Sequence, residues 1–148
     1  NIKIYQHCLQ NQNTELRLFY EKYKIEYEIF NFNTNLIEYF SKVNLAITRA
    51  GSSMLAELTN ANIPFIAVPL PSSADNHQLK NAKFYENKSY SLLIEEKDLK
   101  LKLLKVIENI NGNNSILNKI TENQRQHSDK NVFKNIDEIL KEIINEKN

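Results

Sequence analysis

The chain has 148 residues, 41% of them hydrophobic and 25% charged, with a formal net charge of +1. This is the composition of an ordinary globular domain, long enough for one real core, and it provides no polybasic field that would argue for nucleic acid or an anionic membrane. A single cysteine, Cys8, excludes an internal disulfide, no Cys/His cluster has zinc spacing, and no apolar run approaches a membrane span.

The chain opens on Asn1 rather than methionine and leads straight into Ile2-Lys3-Ile4-Tyr5, a β-branched and aromatic run that reads as a strand. That opening suggests a piece of a longer chain. Asn11 to Lys24 follows as a helix, with Leu16, Leu18, Phe19 and Tyr23 near helical spacing and Asn13 or Thr14 as cap. Glu26 to Phe30 is a second strand. Thr34 or Asn35 opens a short helix with Leu36, Ile37, Tyr39 and Phe40 on its apolar side. Leu45-Ala46-Ile47 is a third strand, running into a turn at Gly51, one of only two glycines in the chain.

Ser53 to Asn60 reads as a helix. Phe65-Ile66-Ala67-Val68 is a fourth strand without polar alternation, as expected where both faces are covered in a parallel sheet. Pro69 to Ala74 is a loop stiffened by its prolines. Asp75 is the expected N-cap of a helix through Asn87, and Ser91 to Ile94 a fifth strand. Leu99, Leu103, Val106, Ile107 and Ile110 form a helical stripe that breaks at Asn111 to Asn114. Ile116 to Arg125 and Val132 to Ile144 supply the closing helices. Alternating strands and helices predict an α/β class, a Rossmann-like doubly wound parallel sheet, with ligands at the carboxyl ends of the strands.

Two of the strand-to-helix loops carry chemistry. In "ITRAGSSMLAEL", Gly51 allows a positive φ or a close ligand approach, and Ser52 and Ser53 add hydroxyls at a helix start whose N–H groups lack internal partners. This is an anion site suited to phosphate. Glu57 shares a helix face with Ser53 but lacks capping-box spacing; beside a phosphate site it makes sense if it accepts from hydroxyls, as on a ribose. Arg49 has two readings, a phosphate partner or half of an ion pair. In "VPLPSSADNHQLKNA", His77 and Gln78 stand in the first turn of the helix, where they can hydrogen-bond sugar hydroxyls, and Asn81 lies one turn further on. Adjacent residues on a strand point to opposite faces, so His7 and Cys8 do not form a nucleophile–base pair, and a structural role is expected for them.

Together, "TRAGSSMLAEL" and "IPFIAVPLPSSADNHQLKNA" resemble the carboxyl-terminal domain of the MurG family, and "FNTNLIEYFSKVNLAITRAG" fits the same pattern. The likeness covers essentially the whole chain; the paired loops are its specific part. That family transfers N-acetylglucosamine (GlcNAc) from UDP-GlcNAc to lipid I, making lipid II for peptidoglycan. The resemblance implies that residues 1–148 are the UDP-sugar-binding half of a two-domain GT-B fold. It implies UDP-GlcNAc as a substrate, no separate cofactor, and a lipid-linked acceptor held by an amino-terminal domain. It implies a cytoplasmic enzyme, peripheral at the inner face of the plasma membrane, with no nucleic-acid partner and no transmembrane segment. Carried over by position, the backbone at Phe32 and Asn33 meets uracil. Ser52, Ser53 and Met54 face the phosphates and sugar, and Arg49 and Gly51, read from the residues themselves, complete that group. Glu57 accepts from the ribose, and His77 and Gln78, with Asn81 behind them, read GlcNAc. His77 stands where some relatives carry glutamine. No residue here is assigned as general base, so the segment alone is expected to be inactive.

One departure from the family pattern carries a structural expectation. The family's domain begins with a strand and a Gly-Gly-Ser-type loop that have no counterpart in these residues. Their strand would be central, so the strands near Ile4 and Glu28 should pair with each other, and those near Ala46, Ile66 and Leu93 should form a second group. Other readings are a UDP-GlcNAc 2-epimerase-like protein, the soluble subunit of a split GlcNAc transferase, and a non-catalytic nucleotide-sugar-binding module.

Overall fold

A computed structural model describes residues 2–31, 36–127, 136, 138–141 and 143–144. The chain divides into two compact units, Asn1–Val43 and Asn44–Asn148. The strand partition matches expectation: one two-stranded sheet and one three-stranded sheet, every pairing parallel.

In the first unit, β1 (Lys3–His7) pairs with β2 (Glu26–Phe30) with Ile4 opposite Tyr27, joined through α1 (Asn13–Lys22) and followed by α2 (Ile37–Phe40). The α1 helix is shorter than its periodicity suggests, because a 3-10 turn takes Gln10–Gln12. Its N-cap is Gln12, and neither Asn13 nor Thr14 caps it. The Asn13 amide is engaged elsewhere. Cys8 is buried and its Sγ donates to Asn13 Oδ1 at 3.0 Å. Asn31 Nδ2 donates to the Cys8 carbonyl at 2.9 Å and to Asn13 Oδ1 at 3.1 Å, while Asn13 Nδ2 returns a bond to Asn31 Oδ1 at 3.2 Å. Cys8 is therefore structural, as expected. Tyr20 is the buried side chain of α1: its ring stacks on Tyr27 and its hydroxyl donates to Gln6 Oε1 at 2.7 Å.

In the second unit, β3 (Ala46–Thr48), β4 (Phe65–Ala67) and β5 (Leu92–Leu93) stand in that order. The central β4 is buried at every position, which explains its unbroken apolar sequence. Ile66, Val68 and Ile94 form the core, covered by Leu99, Leu103 and Val106 of α5 (Leu99–Gly112), the stripe read from the sequence. Leu55 and Leu58 of α3 (Ser52–Asn60) are buried too, and Thr59 returns its hydroxyl to the Leu55 carbonyl at 2.7 Å. In the chain, α4 (His77–Asn87) connects β4 to β5, which pair directly. On α6 (Ser115–Gln126), the buried Gln124 donates to the carbonyls of Ile63 and Tyr90 at 3.0 and 2.7 Å. Of the expected last helix, the described residues from Ile136 to Ile144 are helical. No described helix is long and apolar enough to cross a membrane.

Candidate functional site

The sheet of the second unit sends both informative loops out from the carboxyl ends of neighbouring strands, β3 and β4. The first loop passes through Ala50, which is wholly buried, to Gly51 at the N-cap of α3. The α3 ladder begins with Leu55 N–H donating to the Gly51 carbonyl at 3.1 Å. The N–H groups of Ser52, Ser53 and Met54 therefore have no acceptor within the helix and point out of its positive end. Ser52 and Ser53 are exposed and Met54 is half-buried.

Gly51 is not where a positive φ is needed. Its backbone is extended (φ −69°, ψ 136°), and a Cβ built on it would meet nothing within 4 Å. Of the two expected reasons for glycine, the close approach of a ligand is the one this geometry leaves. Glu57 is exposed, and no hydrogen bond or ion pair of its carboxylate is recorded among the described residues.

The second loop runs through Pro69 and Ser73 into α4. Asp75 does not cap that helix. Asp75 and Asn76 both adopt left-handed backbone, with φ 48° and 53°, so the chain reverses before the helix and neither side chain caps it. An N-cap side chain normally works from an extended backbone, and two successive left-handed residues remove that geometry. Asp and Asn are among the residue types that tolerate this region. Ser73 takes part of the capping role instead, its Oγ accepting from Gln78 N–H at 3.4 Å.

The first-turn positions of His77 and Gln78 hold as expected. His77 is exposed, with Nδ1 at 2.8 Å from the Ala74 carbonyl. A carbonyl only accepts, so Nδ1 carries a hydrogen, and in the tautomer with that single hydrogen Nε2 is an acceptor. Gln78 and Asn81 are half-buried and turn toward the first loop. Gln78 Oε1 accepts from Ala50 N–H at 3.2 Å and from Leu70 N–H at 3.0 Å. Asn81 Nδ2 donates to the Ala50 carbonyl at 3.1 Å. Arg49 makes an ion pair here, Nη1 to Glu96 Oε2 at 2.6 Å, with both side chains partly exposed.

The structure thus brings Arg49, Gly51, Ser52, Ser53, Met54, Glu57, His77, Gln78 and Asn81 onto two adjacent strand-to-helix junctions of one sheet. Phe32 and Asn33 lie outside the described residues. Sequence reasoning missed Glu96, Ser73 and the backbone of Ala50 and Leu70. The spacing of Gln78 and Asn81, three apart on one helix face, was the signal available for the last two. Among the described residues no group of His, Cys, Asp and Glu could hold a metal ion. Among the described residues, what the arrangement offers is a positive helix end without a paired anion, two hydroxyls, one unpaired carboxylate and one imidazole.

Comparison with known proteins gives a consistent result. The sequence profile described as "Glycosyltransferase family 28 C-terminal domain" matches residues 1–138. Among curated proteins, the UDP-N-acetylglucosamine--N-acetylmuramyl-(pentapeptide) pyrophosphoryl-undecaprenol N-acetylglucosamine transferase of Pelagibacter ubique is 36% identical over 147 residues, 98% of this chain and 41% of the relative. The enzyme of the same name from Rickettsia massiliae is 32% identical over 97% of this chain and 38% of the relative. The chain therefore spans about two fifths of the length of these relatives. The crystal structure of Acinetobacter baumannii MurG superposes with a TM-score of 0.74 at 24% identity, covering 86% of this chain and 37% of that one, which shows a shared fold.

Proposed function

The chain belongs to the glycosyltransferase family 28 C-terminal domain family, and from that premise we propose that it is the donor-binding part of an inverting hexosyltransferase. The donor would be UDP-GlcNAc, and the acceptor the undecaprenol-linked muramyl pentapeptide, lipid I, in peptidoglycan synthesis. The names of the Pelagibacter and Rickettsia relatives support both substrates. The observation that carries the reading is the mouth of α3. Its first N–H groups, Ser52, Ser53 and Met54, stand open beside a glycine whose missing side chain makes room for a ligand.

Chemically, such a transfer needs the diphosphate leaving group held and its growing negative charge stabilised. Fixed N–H dipoles at a helix start supply that without reorganising during the reaction. Glu57, four residues along α3 and unpaired, would accept from the ribose hydroxyls. His77 Nε2 would accept from a sugar hydroxyl. Gln78 has its amide oxygen committed to two backbone N–H groups, so its remaining contribution to a sugar is through Nε2. Arg49 reaches a phosphate only by leaving Glu96. The backbone at Phe32 and Asn33 is proposed for uracil. Acceptor binding and the general base would belong to the part of the relatives that this chain does not span, so these 148 residues would bind donor without turning it over. The enzyme would work at the inner face of the plasma membrane, where its lipid-linked acceptor lies.

Calorimetry tests the donor assignment. The chain should bind UDP-GlcNAc and UDP, and Glu57→Ala should weaken both by about tenfold, the worth of charge-assisted bonds to a ribose. Binding of neither nucleotide by the wild-type chain would overturn the reading.

A further inference from the structure

We infer that Gln78 and Asn81 are positioning residues, which set the mouth of α3 by holding the backbone of Ala50. The consequence for ligand binding rests on the function proposed above; the clamp itself does not.

Ala50 is the problem they solve. It is wholly buried, two residues beyond the end of β3 and one before the N-cap of α3. The pairing of β3 with β4 ends at Thr48, whose carbonyl accepts from Val68 N–H at 2.8 Å, and the helical ladder starts only at the Gly51 carbonyl. Neither element supplies partners for the N–H and C=O of Ala50. A buried backbone group without a partner is costly, so something must provide them. Gln78 and Asn81, three apart on one face of α4, do so from the neighbouring junction.

The chemistry fixes which end of each amide is used. A backbone N–H can only donate, so Gln78 must present Oε1 to Ala50 and Leu70. A backbone carbonyl can only accept, so Asn81 must present Nδ2. One oxygen thereby ties the β3–α3 loop to the β4–α4 loop. Gly51, Ser52 and Ser53 follow directly from the residue so held.

This gives opposite expectations for the two amide-to-acid exchanges. Gln78→Glu keeps the acceptor and should retain the clamp. Asn81→Asp replaces a donor with an acceptor facing a carbonyl and should break it. Amide hydrogen exchange on the 148-residue chain, with thermal melting to confirm folding, reads this without any ligand. Ala50 and Leu70 should exchange at least about tenfold faster in Gln78→Leu, and stay at the wild-type rate in Gln78→Glu. Unchanged protection of both amides in Gln78→Leu would overturn the clamp, whether or not the chain binds nucleotide. Calorimetry then separates positioning from sugar contact. If the clamp sets the phosphate-binding mouth, Gln78→Leu should weaken UDP by about tenfold and UDP-GlcNAc by at least as much. Weakening of UDP-GlcNAc alone would make Gln78 a direct sugar contact and overturn its positioning role. A wild-type chain that binds neither nucleotide would sink the proposed function, while the exchange result would still decide the clamp.

Discussion

Each unit of this chain carries a place where a strand leaves its sheet and turns toward a helix, and each settles the exposed backbone with a pair of carboxamides. In the first unit Asn13 and Asn31 bond to each other in both directions, and to Cys8 through its thiol and carbonyl. In the second, Gln78 and Asn81 do not bond to each other and spend themselves on the backbone of Ala50 and Leu70. The first arrangement is closed: each amide uses both its oxygen and its nitrogen internally. The second leaves the Gln78 Nε2, two serine hydroxyls, an unpaired carboxylate and open helix N–H groups around it. The same residue chemistry makes a knot in one unit and a frame in the other. The difference is whether the amides answer each other or the backbone beside a glycine.

The frame needs a rigid support, and the largest expected effect tests that. Phe65 is fully buried at the centre of the second sheet, in edge-to-face contact with Tyr85 of α4. Phe65→Ala should cost about 3–5 kcal/mol by cavity formation and lost burial. Denaturant unfolding checks this. A loss under about 1 kcal/mol would mean that the site's scaffold tolerates collapse, contrary to close packing.

The knot should fail differently from the frame. Asn31→Ala removes the donor to the buried Cys8 carbonyl and one side of the Asn13 pair. The expected cost is about 1–3 kcal/mol, together with faster labelling of Cys8 by a thiol reagent as the region opens locally. Unchanged labelling would mean that Cys8 is protected by packing alone. Tyr20→Phe is smaller, about 1 kcal/mol for the bond to Gln6. Burial raises the Tyr20 hydroxyl above its usual range, with a smaller push from Cys8. A raised acid favours the neutral form in the folded state. Its contribution is therefore full below the unfolded value of about 10 and lost as pH rises through the folded value. Wild type and Tyr20→Phe should converge in stability under strongly alkaline conditions; a gap that persists there would assign the effect to packing.

Much of this was legible in the sequence. The apolar run at Phe65 to Val68 and the stripe Leu99, Leu103, Val106 follow directly from burial, which periodicity reports. The separation of strands into a pair and a triplet came from the family's strand order, and the pairings agree. The two loops were located because glycine, serine and amide residues cluster where strands meet helices. Backbone conformation was the hidden part. Gly51 suggested positive φ, yet the left-handed residues of this region are Asp75 and Asn76. Composition names residues that tolerate such a φ, but only the path of the chain decides which adopt it. Hydrogen-bond partners across loops were equally hidden. Gln78 reads as a sugar contact because its side chain is polar and near the helix start; that its oxygen also serves Ala50 depends on where β3 stops.

Arg49 gives the smallest effect on stability and the finest test of how open the frame is. Its pair with Glu96 is short but partly exposed on both sides, so its net worth should be under about 1 kcal/mol. Glu96→Gln should therefore leave the melting temperature nearly unchanged. Its effect on nucleotide binding should be larger than its effect on folding. The guanidinium would be released from its carboxylate, and one negative charge would leave the neighbourhood of the proposed diphosphate site. UDP affinity should rise by a few-fold at low salt, and the gain should shrink as added salt screens it. Unchanged UDP affinity at every salt concentration would show that Arg49 serves the loop rather than the ligand, and would leave the α3 N–H groups as the anion-binding element.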